Sequence, residues 1–257
     1  MSYNMWGSST PKPQQTTPKS SINWSNKPKP QEIPYYDPVN NIAPKVVVGL
    51  DRDGVINIDR GDYTYRVEDF EPIPGSLEAI AKIRRLGHKI AIITNQGGIG
   101  KGIYTHDDVE KVHNHMFNLL GEAGCASIDA LYYSETSLRA DGYAKPNTGM
   151  FKRCEEEMPF IKFSKGFFVG DKISDLKAAF KIGARPVLVL TGYGQETLKE
   201  LNKFSNQKIK KKTIVFDSLA NFALFGIVYV TPTLTTSVTL KLALIVDLTS
   251  SVLFQVT

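Results

Sequence analysis

Between about residue 45 and residue 216, short apolar runs alternate with longer segments whose apolar positions recur every three or four residues. Lys45 to Leu50 is a β-branched run that predicts a buried parallel strand. Lys89 to Ile93, Ala130 to Tyr133, Gly166 to Val169, Pro186 to Leu190 and Thr213 to Phe216 repeat that signature. Between them, Leu77, Ile80, Ile83 and Leu86 share one face of a helix predicted over Ser76 to Leu86, with Gly87 as its stop. Thr105 is placed to cap a longer helix with the stripe Val109, Val112, Met116, Phe117 and Leu120. Ser174 is read as the cap of a helix that ends at Gly183, and Glu196 to Phe204 as another helix. Strand–helix alternation of this kind predicts an α/β fold: a parallel sheet with right-handed crossovers and helices on both faces. Active sites in such sheets lie beyond the carboxyl ends of the strands.

Outside that body the pattern changes. Residues 1–44 are rich in Pro, Ser, Thr, Asn, Gln and Lys and poor in aliphatics, which predicts a disordered leader. The body is read as 45–220. In 221–257 two apolar runs, ALFGIVYV and LKLALIV, flank a polar stretch and read as a β-prone tail of unknown role. Neither run approaches the roughly 20 residues that a helix needs to cross a bilayer. No membrane partner is therefore expected.

The net charge of +5 is uneven. Its surplus sits in the leader and in Lys208, Lys210, Lys211 and Lys212, whereas 46–190 is close to neutral. Solvated lysines account for that run, and attraction of nucleic acid or another polyanion is the sharper reading. Cys125 and Cys154 form no paired framework, and no secretory signal opens the chain, so reduced thiols and a cytoplasmic location are expected.

Four segments place a phosphate-handling group just after or near an apolar run. They are Asp51-Arg52-Asp53-Gly-Val-Ile-Asn57, Thr94-Asn95-Gln96, Lys145-Pro146, and Gly170-Asp171 with Asp175. Two carboxylates two residues apart, a hydroxyl, a lysine and a further carboxylate pair make a kit for hydrolysing a phosphate monoester with Mg²⁺. Each motif is weak alone, and their ordered combination is specific. His113 and His115, two apart on a helix, point different ways and make a poor metal pair. His113 is read as semi-buried and His115 as surface.

DRDGVIN, TNQGGIGKG, AKPNTGMF and FVGDKISDLKAAFKIGA together resemble the haloacid dehalogenase (HAD) superfamily of aspartate-nucleophile phosphatases. Within it, the chain is similar to the branch of histidinol-phosphate and D-glycero-D-manno-heptose 1,7-bisphosphate phosphatases, over about residues 46–220. The resemblance implies a HAD-like Rossmannoid sheet. It makes Asp51 the nucleophile, Asp53 the general acid and base, and Thr94 with Asn95 the phosphoryl-binding pair. Lys145 would neutralise charge there, and Asp51, Asp171, the Asp53 backbone carbonyl and Asp175 would hold Mg²⁺. Arg52, Asn57 and Lys101 match positions near the substrate.

Two departures matter. Related enzymes often carry a Cys/His zinc loop before the motif lysine, but 133–145 has neither residue type, so no structural zinc is expected. Ala144 stands where heptose-specific members often have an arginine, and Arg139 is the candidate to compensate. The intervals between motifs leave no room for a cap domain, so a capless, open cleft is expected. The substrate reading is a small sugar or histidinol phosphate. Polynucleotide 3′-phosphate is the alternative, since AKPNTGMF and TNQGGIGKG also resemble that class of phosphatase, and a non-catalytic scaffold is the third. Oligomeric state is not legible.

Overall fold

The computed structural model describes residues 45–125, 127–136 and 142–226. The leader, Arg139 and all but the first few residues of the tail lie outside them. Six parallel strands form one sheet in the order β3-β2-β1-β4-β5-β6. They are β1 Val47–Leu50, β2 Lys89–Asn95, β3 Ala130–Ser134, β4 Phe167–Gly170, β5 Arg185–Val189 and β6 Ile214–Phe216. Every predicted strand is present, with ends shifted by one or two residues.

Alternation along the strands divides the core. Val48, Leu50, Ile90, Ile92, Val169 and Val187 face one way and pack on α1 (Ser76–Arg85) and α2 (His106–Glu122). Val47, Ala91, Ile93, Tyr132 and Phe168 face the other and pack on α3 (Gly149–Glu157) and α4 (Ile173–Ile182). α5 (Gly194–Leu201) extends the second layer through Leu201, which packs with Leu176 and Leu188. Among the described residues no helix is long and apolar enough to cross a membrane.

One local reading is corrected. Ser174 does not cap α4: the helix starts one residue earlier, and the Asp175 carboxylate turns back to accept from the Lys172 N–H at 3.0 Å. α3 was not among the predicted elements. Phe222 is fully buried, edge-on to Phe167 and Phe216. Thr105 does cap α2, in a reciprocal pair with Asp108.

The register sets the site. β1 is central, with Leu50 paired to Ile92 on one side and Val169 on the other. The next residues along, Asp51, Thr94 and Gly170-Asp171, therefore emerge together at the carboxyl edge of neighbouring strands about 4.8 Å apart.

At the opposite edge, buried His88 accepts the Val46 N–H through Nδ1 at 3.2 Å. Burial, helped by the Lys45 charge, pulls the His88 pKa down to about 4. Protonation is therefore harder in the folded than in the unfolded chain. Stability should fall as pH drops from the ordinary histidine value near 6.5 through about 4, by about 3 kcal/mol in all. Urea unfolding of wild type and His88→Asn at pH 7 and pH 5 checks this: the wild type should lose more stability than the variant on acidification, and parallel losses would refute it.

Candidate active site

Asp51 is nearly fully buried, and its backbone N–H donates to Val169 O at 2.9 Å, which fixes where β1 ends. Its carboxylate meets two others: oxygens of Asp51, Asp171 and Asp175 lie within 4.8 Å of one another. The Lys145 ammonium contacts Asp51 Oδ1 and Asp175 Oδ1, each at 2.8 Å, and donates to Ile93 O at 2.8 Å. Asn95 holds this lysine in place: its side chain accepts from the Lys145 N–H at 2.9 Å and donates to the Lys145 carbonyl at 3.1 Å. Two elements far apart in sequence are thereby locked together.

The charges do not balance. Asp51, Asp171 and Asp175, with Asp59 beside them, face two ammonium groups: Lys145, and Lys172, which contacts Asp59 at 2.8 Å and lies over the Tyr193 ring. Burial, then repulsion from Asp175 and Asp51 against the pull of Lys172, pushes the Asp171 carboxyl up to about 8. Burial and the Asp175 charge also raise Asp51 against the pull of Lys145. The Lys145 ammonium is held charged, because the Asp175 and Asp51 charges outweigh its burial. Asp171 Oδ2 accepts from the Tyr193 N–H at 2.9 Å, but Oδ1 is buried with no hydrogen-bond partner. A hard divalent cation, which takes oxygen ligands, fits this donor set and would relieve the excess negative charge.

Two glycines shape the cradle of Asp171. Gly54 and Gly192 both have positive φ, and a Cβ on either would stand 2.1 or 2.3 Å from Asp171 Oδ2. Thr191 Oγ1 donates to Gly54 O at 2.6 Å and ties the two turns together. Gly54→Ala combines left-handed strain with that collision and should cost about 2 kcal/mol or more. A denaturant melt reads this directly, and an unchanged midpoint would remove the cradle from the account.

Asp53 points elsewhere. Its carboxylate receives the Arg52 guanidinium at 2.9 Å, Asn57 Nδ2 at 2.9 Å and Gln96 Nε2 at 3.1 Å. Burial alone would raise its pKa, but the Arg52 charge with the Asn57 and Arg52 hydrogen bonds holds it below the usual carboxylate value. The side chain of Asp53 is thus outside the three-carboxylate cluster.

Arg52 and Asn57, expected near substrate, are turned inward instead. Both are fully buried. Arg52 also donates to Thr64 O at 2.9 Å and to His113 Nε2 at 3.2 Å, so its fork is spent on the protein. His113 is fully buried rather than semi-buried, and burial, then the Arg52 charge, lowers its pKa well below the usual value, leaving a neutral acceptor. His115 is half-buried, edge-on to Phe70. Lys101 is exposed on the glycine-rich turn and donates to Tyr63 OH at 2.8 Å.

Gln96 links the first two motifs. Its Nε2 donates to both Asp53 Oδ2 and Thr94 Oγ1 at 3.1 Å, and Tyr104 OH donates to its Oε1 at 3.0 Å. Burial pushes the Tyr104 pKa up to about 12, which keeps that hydroxyl a donor.

The HAD-hydrolase-like family model matches residues 142–222, the stretch from the lysine motif through α4 to the last core phenylalanine. Over 174 residues the chain is 37% identical to the D-glycero-beta-D-manno-heptose-1,7-bisphosphate 7-phosphatase of Pseudomonas putida, a match spanning 68% of this chain and 95% of the relative. The chain belongs to the haloacid dehalogenase superfamily of phosphatases. The enzyme of the same name from Neisseria meningitidis serogroup A is 34% identical over 175 residues, 68% of this chain and 90% of the relative. The crystal structure of D,D-heptose 1.7-bisphosphate phosphatase from B. bronchiseptica, complexed with magnesium and phosphate, superposes with a TM-score of 0.63 at 28% identity. It covers 70% of this chain and 96% of that one. This HAD phosphatase therefore shares its fold with an enzyme whose crystals held both a divalent cation and phosphate.

Proposed function

We propose that this phosphatase hydrolyses a phosphate monoester of a small sugar, with D-glycero-D-manno-heptose 1,7-bisphosphate the first candidate, through an aspartyl-phosphate on Asp51. The convergence of Asp51, Asp171 and Asp175 around Lys145 carries this reading, because it places a nucleophile beside an unfilled demand for positive charge. The match to sugar bisphosphate phosphatases, which spans 90–95% of those relatives and 68% of this chain, supports the substrate class.

Asp51, Asp171, Asp175 and the backbone carbonyl of Asp53 would hold Mg²⁺, with Asp175 also anchoring Lys145. When bound, Mg²⁺ supplies the positive charge that offsets repulsion between a carboxylate and a phosphate dianion. Asp51 attacks phosphorus, while Thr94, the Asn95 N–H and Lys145 bind the phosphoryl oxygens. Asp53 gives a proton to the leaving alcohol and then takes one from the water that cleaves the intermediate. Held by Arg52, Asn57 and Gln96 it is a carboxylate. Turning off Arg52 toward the substrate removes the charge that stabilises its ionised form and lets it carry the proton. Lys101, exposed on the glycine-rich turn, would take a second anionic group of the substrate.

Phosphate release from heptose 1,7-bisphosphate, histidinol phosphate and a 3′-phosphorylated oligonucleotide, each with Mg²⁺ and with EDTA, tests the assignment. The heptose ester should lead by roughly tenfold or more in kcat/KM, which corresponds to at least about 1.4 kcal/mol of transition-state discrimination. Faster release from the oligonucleotide, steeply inhibited by salt, would favour the nucleic-acid reading.

A further inference from the structure

At the end of the sheet opposite the carboxylate cluster, a half-open cleft of about 370 Å³ lies between the start of β4, the start of β5 and the turn after α4. Four cations line it: Lys165, Arg185, Lys211 and Lys212. No carboxylate lines it, and none among the described residues comes within ion-pair distance of these four side chains. All four side chains are exposed, and the Lys212 amine sits 5.5 Å from the Phe180 ring centroid at the cleft wall.

We infer that this cleft is a binding site for a small polyphosphate anion. Four positive charges line one concavity, and an anion carrying several charges gains several attractive partners there. The volume lies in the range of small-ligand pockets, which favours a compact triphosphate over a long polymer. Inorganic triphosphate and a nucleoside triphosphate share the required chemistry. Phe180, half-buried in the lining, gives the second an apolar wall for its base. Phe167 and Arg185 begin strands whose far ends carry the active site, so the strand length alone separates the two sites by on the order of 13 Å. The ligand held here is therefore not the one hydrolysed, and the inference stands apart from the choice of substrate.

Calorimetric titration of the full chain in EDTA, which suppresses turnover, with inorganic triphosphate, ATP and a single-stranded oligonucleotide tests it. The same titrations of Arg185→Glu/Lys212→Glu, with its fold checked by circular dichroism, separate this cleft from the active site. Triphosphate binding should weaken tenfold or more in the double variant. Activity on a small phosphomonoester should stay unchanged. A stronger response to ATP than to inorganic triphosphate identifies the nucleotide as the source, and equal responses identify the phosphates alone. Triphosphate binding that is absent, or unchanged by the double substitution, overturns the site, and tighter binding of the oligonucleotide overturns the small ligand.

Discussion

Lys145→Met should both destabilise the protein and slow it, and Mg²⁺ should restore much of the stability but little of the rate. The amine is buried and makes three contacts at 2.8 Å, with Asp51, Asp175 and the carbonyl of Ile93. Removing it leaves two buried carboxylates facing each other without a cation. Breaking a buried ion pair from one side typically costs about 3–5 kcal/mol, because the remaining charge keeps its desolvation penalty. A divalent ion among Asp51, Asp171 and Asp175 would answer the same negative charge, so millimolar Mg²⁺ should recover a large part of that loss. Activity should fall by about 10²–10³-fold and stay low, since in the proposed mechanism the lost ammonium also binds the phosphoryl oxygens. Melting temperatures in Mg²⁺ and in EDTA, measured beside kcat, separate these effects. An equal loss of stability in both conditions would mean that the carboxylates do not share a cation.

Asp51→Asn should abolish turnover, by about 10⁴-fold or more, while the chain stays folded. The amide keeps the size of the carboxylate, and its oxygen can still accept from Lys145 and from the Arg52 N–H, which now donates to Asp51 Oδ1 at 2.8 Å. It is not nucleophilic toward phosphorus. Asp53→Asn should reduce the rate less, because positioning and electrostatic stabilisation at Asp51, Thr94 and Lys145 remain. A phosphatase that kept a tenth of its rate after Asp51→Asn would need a different nucleophile.

Much of the fold could be read from the sequence because it rests on local patterns. Runs such as VVVGL and KIAIIT are too short and too β-branched for helices, and the 3.6-residue stripes of α1 and α2 are regular. α3 escaped because its buried set, Met150, Phe151 and Cys154, is only one turn long within a charged segment. The cap of α4 was misplaced because Ser174 is a good capping residue by type, whereas Asp175, one position later, made the reciprocal bond. The strand ends suggested that Asp51, Thr94 and Asp171 share one edge, and Asp51 and Asp171 meet Asp175 there with Lys145 beside them. The partners that hold them could not be read, since each bond joins distant segments: Gln96 to Asp53, His113 to Arg52, Lys172 to Asp59, and Gly192 beside Asp171. Arg52 and Asn57 were misread for the same reason. A charged residue next to a catalytic aspartate looks like a substrate contact until the interior shows what it faces.

The covalent step is open to direct chemical test. Rapid mixing with substrate and Mg²⁺, acid quench and borohydride reduction would convert an aspartyl-phosphate to homoserine, which survives digestion. Trypsin cuts after Lys45, Arg52 and Arg60, so Asp51 and Asp53 fall on separate peptides, 46–52 and 53–60. Homoserine should appear at residue 51 in peptide 46–52, dependent on both substrate and Mg²⁺. Homoserine at residue 53, or none in an enzyme that is turning over, would contradict the assignment of the nucleophile.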